Sequence, residues 1–136
     1  MTMAGERCKK VLIIDDEDLV RETVILALGH AGFEAEGLAD SVLAFDAIKK
    51  SQPDLVLLDI YMPEVSGLEL CRRLKADPET RAVPIVMFTG SNETIDVISG
   101  ISAGAFEYIT KPIDGEALIV KIRSLLSGPQ PLKEMP

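Results

Sequence analysis

The feature that most constrains the fold is an alternation, repeated five times, of short apolar runs with segments of helical periodicity. A parallel sheet covered by helices produces this pattern, because each helix carries the chain back to the start of the next strand. The apolar runs predict strands near residues 10–15, 33–38, 54–59, 84–89 and 106–110. Helices are predicted near residues 17–30, 40–51, 67–76, 92–103 and 114–127, with Asp40, Asn92 and Asp114 as N-terminal caps of the second, fourth and fifth.

The five apolar runs differ in a way that predicts the strand order. VLII, LVLL and IVMF are continuously apolar, whereas FEAEG and FEYI alternate with polar residues. Continuous runs are typical of strands buried on both faces, and alternation suits an edge strand with one wetter face. With right-handed crossovers, strands two and five at the edges give the order 2-1-3-4-5. We therefore predict an α/β fold: a flavodoxin-like, doubly wound (βα)5 sheet of five parallel strands with helices on both faces.

The 136 residues fit a single domain, which we place at residues 10–127. Residues 1–9 are expected to be an N-terminal tail, and residues 128–136, GPQPLKEMP, a C-terminal tail or a truncated linker. No apolar run approaches the ~20 residues that cross a bilayer, and the start does not resemble a secretion signal. We therefore expect a cytoplasmic protein without a membrane partner.

The charge of the chain bears on its partners. Its net charge is −8 and its pI is near 4.6. Binding to nucleic acid needs a basic surface that displaces counterions from phosphates. We therefore expect no direct contact with nucleic acid.

Polar residues follow four of the five predicted strands. Asp15 and Asp16 come after the first strand, Asp59 after the third, Thr89 after the fourth and Lys111 after the fifth. In an open parallel sheet the ligand site lies beyond the carboxyl ends of the strands. These side chains are therefore expected to share one edge of the sheet.

Carboxylates gathered at that edge require a cation. Two carboxylates ~5 Å apart repel by about 3 kcal/mol at an effective dielectric constant near 20. Lys111 supplies one positive charge, and a hard divalent ion with oxygen ligands, Mg²⁺ or Mn²⁺, supplies more. A nucleophilic carboxylate, a metal, a cation and a hydroxyl together suit the transfer of a phosphoryl group to the protein.

Four motifs together resemble the receiver domain of two-component response regulators. They are VLIIDDED, LLDIYMPEVSG, VMFTG and GAFEYITKP, in this order, within a match over about residues 10–127. The resemblance implies that Asp59 is the phosphoacceptor. The donor would be a phosphohistidine on a sensor histidine kinase or a histidine phosphotransfer protein. The domain would assist its own phosphorylation and dephosphorylation without being an enzyme of small-molecule turnover.

The resemblance also implies roles for the other site residues. Asp15, Asp16, Asp59 and the backbone carbonyl of Tyr61 would hold the metal, with Asp16 as a direct ligand. Lys111 and Thr89 would bind the phosphoryl oxygens, and Lys111 and Pro112 would be joined by a cis peptide bond.

Further implied residues concern signalling rather than chemistry. Thr89 and Tyr108 match a switch pair that would signal through a face formed by helix 4, strand 5 and helix 5. Tyr61 and Ser91 stand where the family varies the lifetime of the phosphoryl group. The partner would be a downstream output domain or protein, and a homodimer is a further possible partner. Gly100, inside the predicted fourth helix, costs about 1 kcal/mol relative to alanine, and we expect that helix to be marginally stable.

Other interpretations of these residues stay open at this point. Asp15 and Asp16 could cap the first helix, and Tyr108 could be a static edge aromatic. The chain could be a phosphorylation-independent interaction or dimerisation module. An aspartyl-phosphate phosphatase would want a second aspartate where Tyr61 stands, and a flavodoxin-like cofactor binder would want a phosphate-cradling loop where DDED stands.

Overall fold

The computed structural model describes residues 8–127, so residues 1–7 of the predicted N-terminal tail (1–9) and the whole predicted C-terminal tail (128–136) lie outside the described residues. The strands are β1 (Lys10–Ile14), β2 (Glu34–Leu38), β3 (Leu55–Leu58), β4 (Ile85–Thr89) and β5 (Glu107–Thr110). The helices are α1 (Asp18–His30), α2 (Ala44–Ser51), α3 (Gly67–Ala76), α4 (Thr94–Ser102) and α5 (Gly115–Ser127). Within the described chain, no helix combines the length and the apolar composition needed to span a membrane.

The strands form one parallel sheet in the order β2-β1-β3-β4-β5, which confirms the predicted fold class. The residues of β3 and β4 are all buried, as are four of the five in β1, whereas β2 and β5 are largely half-buried or exposed. Continuous apolar runs therefore identified the central strands correctly. The register pairs Ile14 with Leu58 and Leu58 with Met87, so β1, β3 and β4 end close to one another.

Each face of the sheet carries its own apolar core, because alternate residues of a strand point to opposite sides. On one face Ile14 and Leu58 pack with Ile48 of α2 and Leu70 of α3. The residues of the other core come from the alternate strand positions and from α1 and α5: Val11, Ile13, Leu55, Leu57, Val86, Phe88, Val24, Leu28, Ile109, Leu118, Ile119 and Ile122. Burying one such side chain contributes about 1.5–3 kcal/mol, so both cores hold the central strands firmly in place.

Two of the three predicted helix caps are present. Asp40 accepts a hydrogen bond from the backbone of Val42 at the start of a short 3-10 turn, Ser41–Leu43, that leads into α2. Asp114 accepts from the backbone of Glu116 and Ala117.

The prediction for Asn92 is wrong, because α4 begins later, with Glu93 at the cap position and no side-chain cap. The Ser91 hydroxyl accepts from the backbone of Glu93, and its carbonyl accepts from Tyr108. These bonds keep the preceding segment outside the helix.

The loop after β3 is tied tightly to the start of α3. Ser66 caps α3 by accepting from the backbone of Glu69, and the N–H of Gly67 donates to the carbonyl of Ile60 over 2.8 Å. A Cβ at position 67 would overlap the backbone carbonyl oxygen of Asp59. Only glycine therefore lets the helix approach the backbone of Asp59 so closely.

Gly67→Ala is expected to lower the free energy of unfolding by roughly 1–3 kcal/mol, the usual cost of overpacking. The clash would be with rigid backbone, so the backbone at Asp59 would have to shift. Urea denaturation of both proteins measures the effect. Gly29→Ala in α1 is the matched control: its added Cβ meets nothing within 4 Å, so it should stabilise by up to about 1 kcal/mol. Equal effects of the two substitutions would contradict this account of Gly67.

Candidate functional site

The carboxyl edge of the sheet holds a cluster of buried polar side chains. Asp15, Asp59 and Thr89 are only 1%, 6% and 1% exposed, although each is polar. They follow or end the three central strands, so the fixed register of those strands brings them together. An open cleft of about 620 Å³ lies above them and is also lined by Asp16, Glu17, Tyr61, Ser91 and Lys111.

Lys111 is the cation of this cluster. Its Nζ lies 2.6 Å from Asp15 Oδ2, 3.3 Å from Glu17 Oε1 and 3.6 Å from Asp59 Oδ2. Burial lowers the pKa of Lys111, but the hydrogen bond to Asp15 and the charges of Asp59 and Asp15 outweigh burial and raise it above 10.5. The lysine is therefore firmly charged, and it offsets the repulsion among three carboxylates.

The backbone at Lys111 has two defined features. Its N–H donates to the carbonyl of Thr89 over 2.7 Å, which fixes the end of β5 against β4. The peptide bond between Lys111 and Pro112 is cis.

Asp59 is a carboxylate in a partly desolvated position. Burial raises its pKa, and the nearby charge of Asp15 adds to this. A hydrogen bond from Thr89, the charge of Lys111 and the backbone N–H of Tyr61 act in the opposite direction, but the net pKa stays above its ordinary value of 3.8. Burial therefore outweighs the three groups that favour the ionised carboxylate of Asp59.

The acidic side chains that could hold a metal ion are Asp15, Glu17 and Asp59. One carboxylate oxygen from each lies within 4.8 Å of the others. Asp16 lines the same cleft, but it is exposed and its carboxylate lies outside this cluster. Of the predicted acidic ligands, the structure therefore brings Asp15 and Asp59 together and leaves Asp16 at the rim.

Glu17 is the residue that the sequence analysis did not single out. A bend at Asp16 separates Asp15 from Glu17, and it brings the Glu17 carboxylate close to that of Asp15 at the cleft. The Asp15 carboxylate accepts from the backbone of Glu17 over 2.9 Å, which fixes this turn. The sequence signal that could have identified Glu17 is the acidic run DDED, in which Glu17 stands two residues after Asp15.

Tyr108 lies in β5, half-buried beside α4. Its hydroxyl donates to the backbone carbonyl of Ser91 over 2.7 Å. The ring packs over Gly100, where an added Cβ would come within 3.2 Å of it. The buried Gly100 therefore makes room for the aromatic ring, a packing reason that the helical pattern alone did not reveal.

Tyr61 and Ser91 converge on a single carboxylate. The Tyr61 hydroxyl donates to Asp96 Oδ2 over 2.7 Å, and the Ser91 hydroxyl donates to the same oxygen over 2.5 Å. The hydrogen bonds from Ser91 and Tyr61 hold the pKa of Asp96 below its usual range, and the bond to Asp96 raises the pKa of Tyr61. A charged acceptor in the first turn of α4 thus joins the loops that follow β3 and β4.

The sequence matches the family model described as the response regulator receiver domain over residues 11–123. It is similar to the transcriptional regulatory protein CseB of Streptomyces avermitilis, with 38% identity over 116 residues, covering 85% of this chain and 48% of that protein. It is also similar to the DNA-binding response regulator MtrA of Mycobacterium tuberculosis, with 36% identity over 118 residues, covering 87% of this chain and 50% of MtrA. The chain thus spans about half the length of these curated relatives.

Solved structures show the same fold. The chemotaxis protein CheY4 of Vibrio cholerae superimposes with a TM-score of 0.83 at 28% identity, covering 88% of this chain and all of that one. The signal receiver domain of a histidine kinase from Syntrophus aciditrophicus gives a TM-score of 0.81 at 29% identity, covering 95% of this chain and 96% of that one.

Asp59→Asn is expected to raise the melting temperature by a few degrees at neutral pH. Because the folded-state pKa of Asp59 is raised, ionisation destabilises the fold above that pKa, and the cost disappears as pH falls below the unfolded value. The gain should therefore shrink as pH is lowered in steps to about 4, as followed by circular dichroism in chelator-treated buffer. Asp46→Asn, at an exposed position of α2, removes the same charge elsewhere and should change little. A loss of stability in Asp59→Asn at neutral pH would contradict this interpretation.

Proposed function

The chain belongs to the response regulator receiver domain family, and on that premise we propose that it is a signalling switch that accepts a phosphoryl group on Asp59. The observation that carries the proposal is the placement of the buried Asp59 carboxylate beside Lys111 and Thr89 at the base of an open cleft. A structural carboxylate would be fully paired or turned to solvent. This one is buried at the base of a cleft that a donor could enter.

The chemistry is a direct transfer. An Asp59 oxygen attacks the phosphorus of a phosphohistidine whose other ring nitrogen is protonated. A P–O bond forms, the P–N bond breaks, and the donor leaves as neutral imidazole. The two negative charges of the phosphoryl group move to the cleft, so catalysis consists of positioning the groups and stabilising this charge. No general base is required, because the attacking carboxylate is already ionised.

Lys111 and Thr89 supply that stabilisation. The ammonium of Lys111 already lies 3.6 Å from an Asp59 oxygen, within reach of a phosphoryl oxygen added there. The buried hydroxyl of Thr89 can donate to a second phosphoryl oxygen. The Lys111 ammonium is in place before the reaction, and a preorganised charge lowers the barrier because it needs no reorganisation.

The acidic cluster fits a hard divalent ion. Asp15, Glu17 and Asp59 offer only carboxylate oxygens, the ligands that Mg²⁺ and Mn²⁺ prefer, and their oxygens are close enough to share one ion. We propose Asp15, Asp59 and Glu17 as protein ligands, with Asp16 and the backbone carbonyl of Tyr61 completing the set. When bound, the ion would neutralise charge on the phosphoryl oxygens.

The proposed signal leaves through α4, β5 and α5. Thr89 would turn toward the phosphoryl group, and the Tyr108 hydroxyl would leave the carbonyl of Ser91 to follow it. The α4 surface already exposes three isoleucines, Ile95, Ile98 and Ile101, at helical spacing. A shift of α4 would therefore alter an apolar surface that a partner can detect.

The partners of the domain are part of the same proposal. We propose a cytoplasmic receiver domain at residues 10–127, phosphorylated by a sensor histidine kinase or a histidine phosphotransfer protein. Its output would be a further domain or a separate protein, with a homodimer through the same face as one mode of signalling. CseB and MtrA are named as a transcriptional and a DNA-binding regulator. With a net charge of −8, this domain is not proposed to bind DNA itself.

Wild type incubated with acetyl phosphate and Mg²⁺ should gain the mass of one phosphoryl group in intact-mass spectrometry. Asp59→Asn should gain none, because the nucleophilic oxygen is gone. Asp46→Asn, which removes the same charge at an exposed site, should react like wild type. Reaction of Asp59→Asn at the wild-type level would refute the assignment of Asp59. A folded wild type without any reaction would favour a phosphorylation-independent interaction module.

Removing the metal with a chelator should abolish this reaction, and adding Mg²⁺ or Mn²⁺ should restore it. Glu17→Gln should raise the Kd for Mg²⁺ roughly tenfold in calorimetric titration, as loss of a carboxylate near an ion usually does. Asp18→Asn, at the next position and paired with Arg21 over 2.6 Å, is the matched control for net charge. Equal changes in Kd for both variants would mean that Glu17 acts only through its general charge.

A further inference from the structure

Resting on the proposed phosphoryl chemistry, we propose that Asp96 is a positioning residue for Asp59. Its carboxylate fixes Tyr61 and Ser91 as one rim of the cleft and thereby sets how fast phosphoryl groups enter and leave. From the resemblance, Tyr61 and Ser91 were expected to stand where the family varies the lifetime of the phosphoryl group. The geometry makes them parts of one unit with Asp96 at its centre.

The unit is a three-residue hydrogen-bond cluster. Asp96 Oδ2 accepts from Tyr61 Oη over 2.7 Å and from Ser91 Oγ over 2.5 Å. Tyr61 comes 35 residues earlier in the chain, in the loop after β3, and Ser91 lies in the loop after β4. One carboxylate oxygen therefore connects both loops that flank Asp59 and Thr89 to the first turn of α4.

Tyr61 and Ser91 touch the reaction space, whereas Asp96 acts through them. Both lie among the residues that line the cleft with Asp59 and Lys111, and Asp96 lies behind them on α4. The hydrogen bonds of Asp96 therefore act on the acceptor through the positions of these two side chains.

The Tyr61 ring depends on this contact for its position. Tyr61 is 61% exposed, so packing holds its ring only weakly. An exposed aromatic side chain exchanges rotamers on a picosecond to nanosecond timescale unless a specific contact restrains it. The hydrogen bond to Asp96 is such a contact. It holds the Tyr61 side chain across the rim of the cleft, between the loop after β3 and α4.

A fixed ring at the rim slows both the phosphorylation of Asp59 and the hydrolysis of the resulting acyl phosphate. In hydrolysis the water oxygen bonds to phosphorus as the bond from phosphorus to the Asp59 oxygen breaks. The products are the free carboxylate and inorganic phosphate, which carries both protons of the water. Water and a small phosphodonor must both approach past the rim, so loosening Tyr61 should accelerate hydrolysis and phosphorylation together.

A purely structural role for Asp96 has to be separated from this one. Asp96 lies in the first turn of α4, where any carboxylate interacts favourably with the helix dipole. Loss of that interaction would weaken α4 whether or not Tyr61 and Ser91 are present. The positioning role, in contrast, disappears when the two hydroxyl groups have already been removed.

The kinetic test uses Asp96→Ala, Tyr61→Phe with Ser91→Ala, and all three substitutions combined. Phosphorylation by acetyl phosphate and hydrolysis after its removal are followed by intact-mass spectrometry. Asp96→Ala should raise both rates roughly two- to tenfold, the fold-change of one or two hydrogen bonds. Adding Asp96→Ala to the double variant should change neither rate further, and Asp96→Asn, which keeps an acceptor oxygen, should lie closer to wild type. Asp46→Ala, in the first turn of α2, is the control and should match wild type.

Wild-type rates in Asp96→Ala would overturn the proposal, and so would an equal effect of Asp96→Ala with and without the two hydroxyl groups. NMR relaxation of ¹³C-labelled tyrosine adds a readout that needs no phosphorylation: the Tyr61 ring should gain motion in Asp96→Ala. An unchanged ring would also overturn the proposal. Absence of any phosphoprotein in wild type would refute the proposed function and the kinetic role with it, while the ring motion would still show whether Asp96 fixes Tyr61.

Discussion

The repulsion among Asp15, Glu17 and Asp59, offset by Lys111, is the interaction on which the site depends. Three carboxylates within 4.8 Å of one another would destabilise the fold without a cation among them. Lys111 provides that cation from the far side of the sheet edge, 52 residues after Asp59 along the chain. Because one ammonium cannot neutralise three carboxylates, the site keeps a net negative charge that favours binding of a cation.

A rigid sheet holds the carboxylates and Lys111 of this cluster in place. The central strands are buried on both faces, and the tight approach of Gly67 fixes the backbone that carries Asp59. On one side of the site, hydrogen bonds connect α4 to the loops after β3 and β4. A carboxylate held on a rigid sheet edge beside a hydrogen-bonded helix suits the proposed switch, since modification of the first can be detected by the second.

Several residues show how far sequence reasoning reached. The strand order, the central strands and the shared edge of Asp15, Asp59, Thr89 and Lys111 followed from apolar patterning and from where each strand ends. Glu17 was missed because its direction depends on a bend, and Asn92 was misplaced because Ser91 bonds to Glu93 and Tyr108 instead of entering α4. Gly100 was interpreted as a weak point of α4, whereas the structure shows that it accommodates the ring of Tyr108.

The sequence by itself determined the α/β class, the strand order and most of the polar groups at the carboxyl edge, because periodicity and strand ends are local properties of the chain. Only the tertiary structure decided which of these groups touch. The convergence of Tyr61 and Ser91 on Asp96 joins residues from two loops and a helix, and no spacing along the chain encodes the direction of an exposed side chain. That direction is set by the hydrogen-bond partners available once the sheet has assembled.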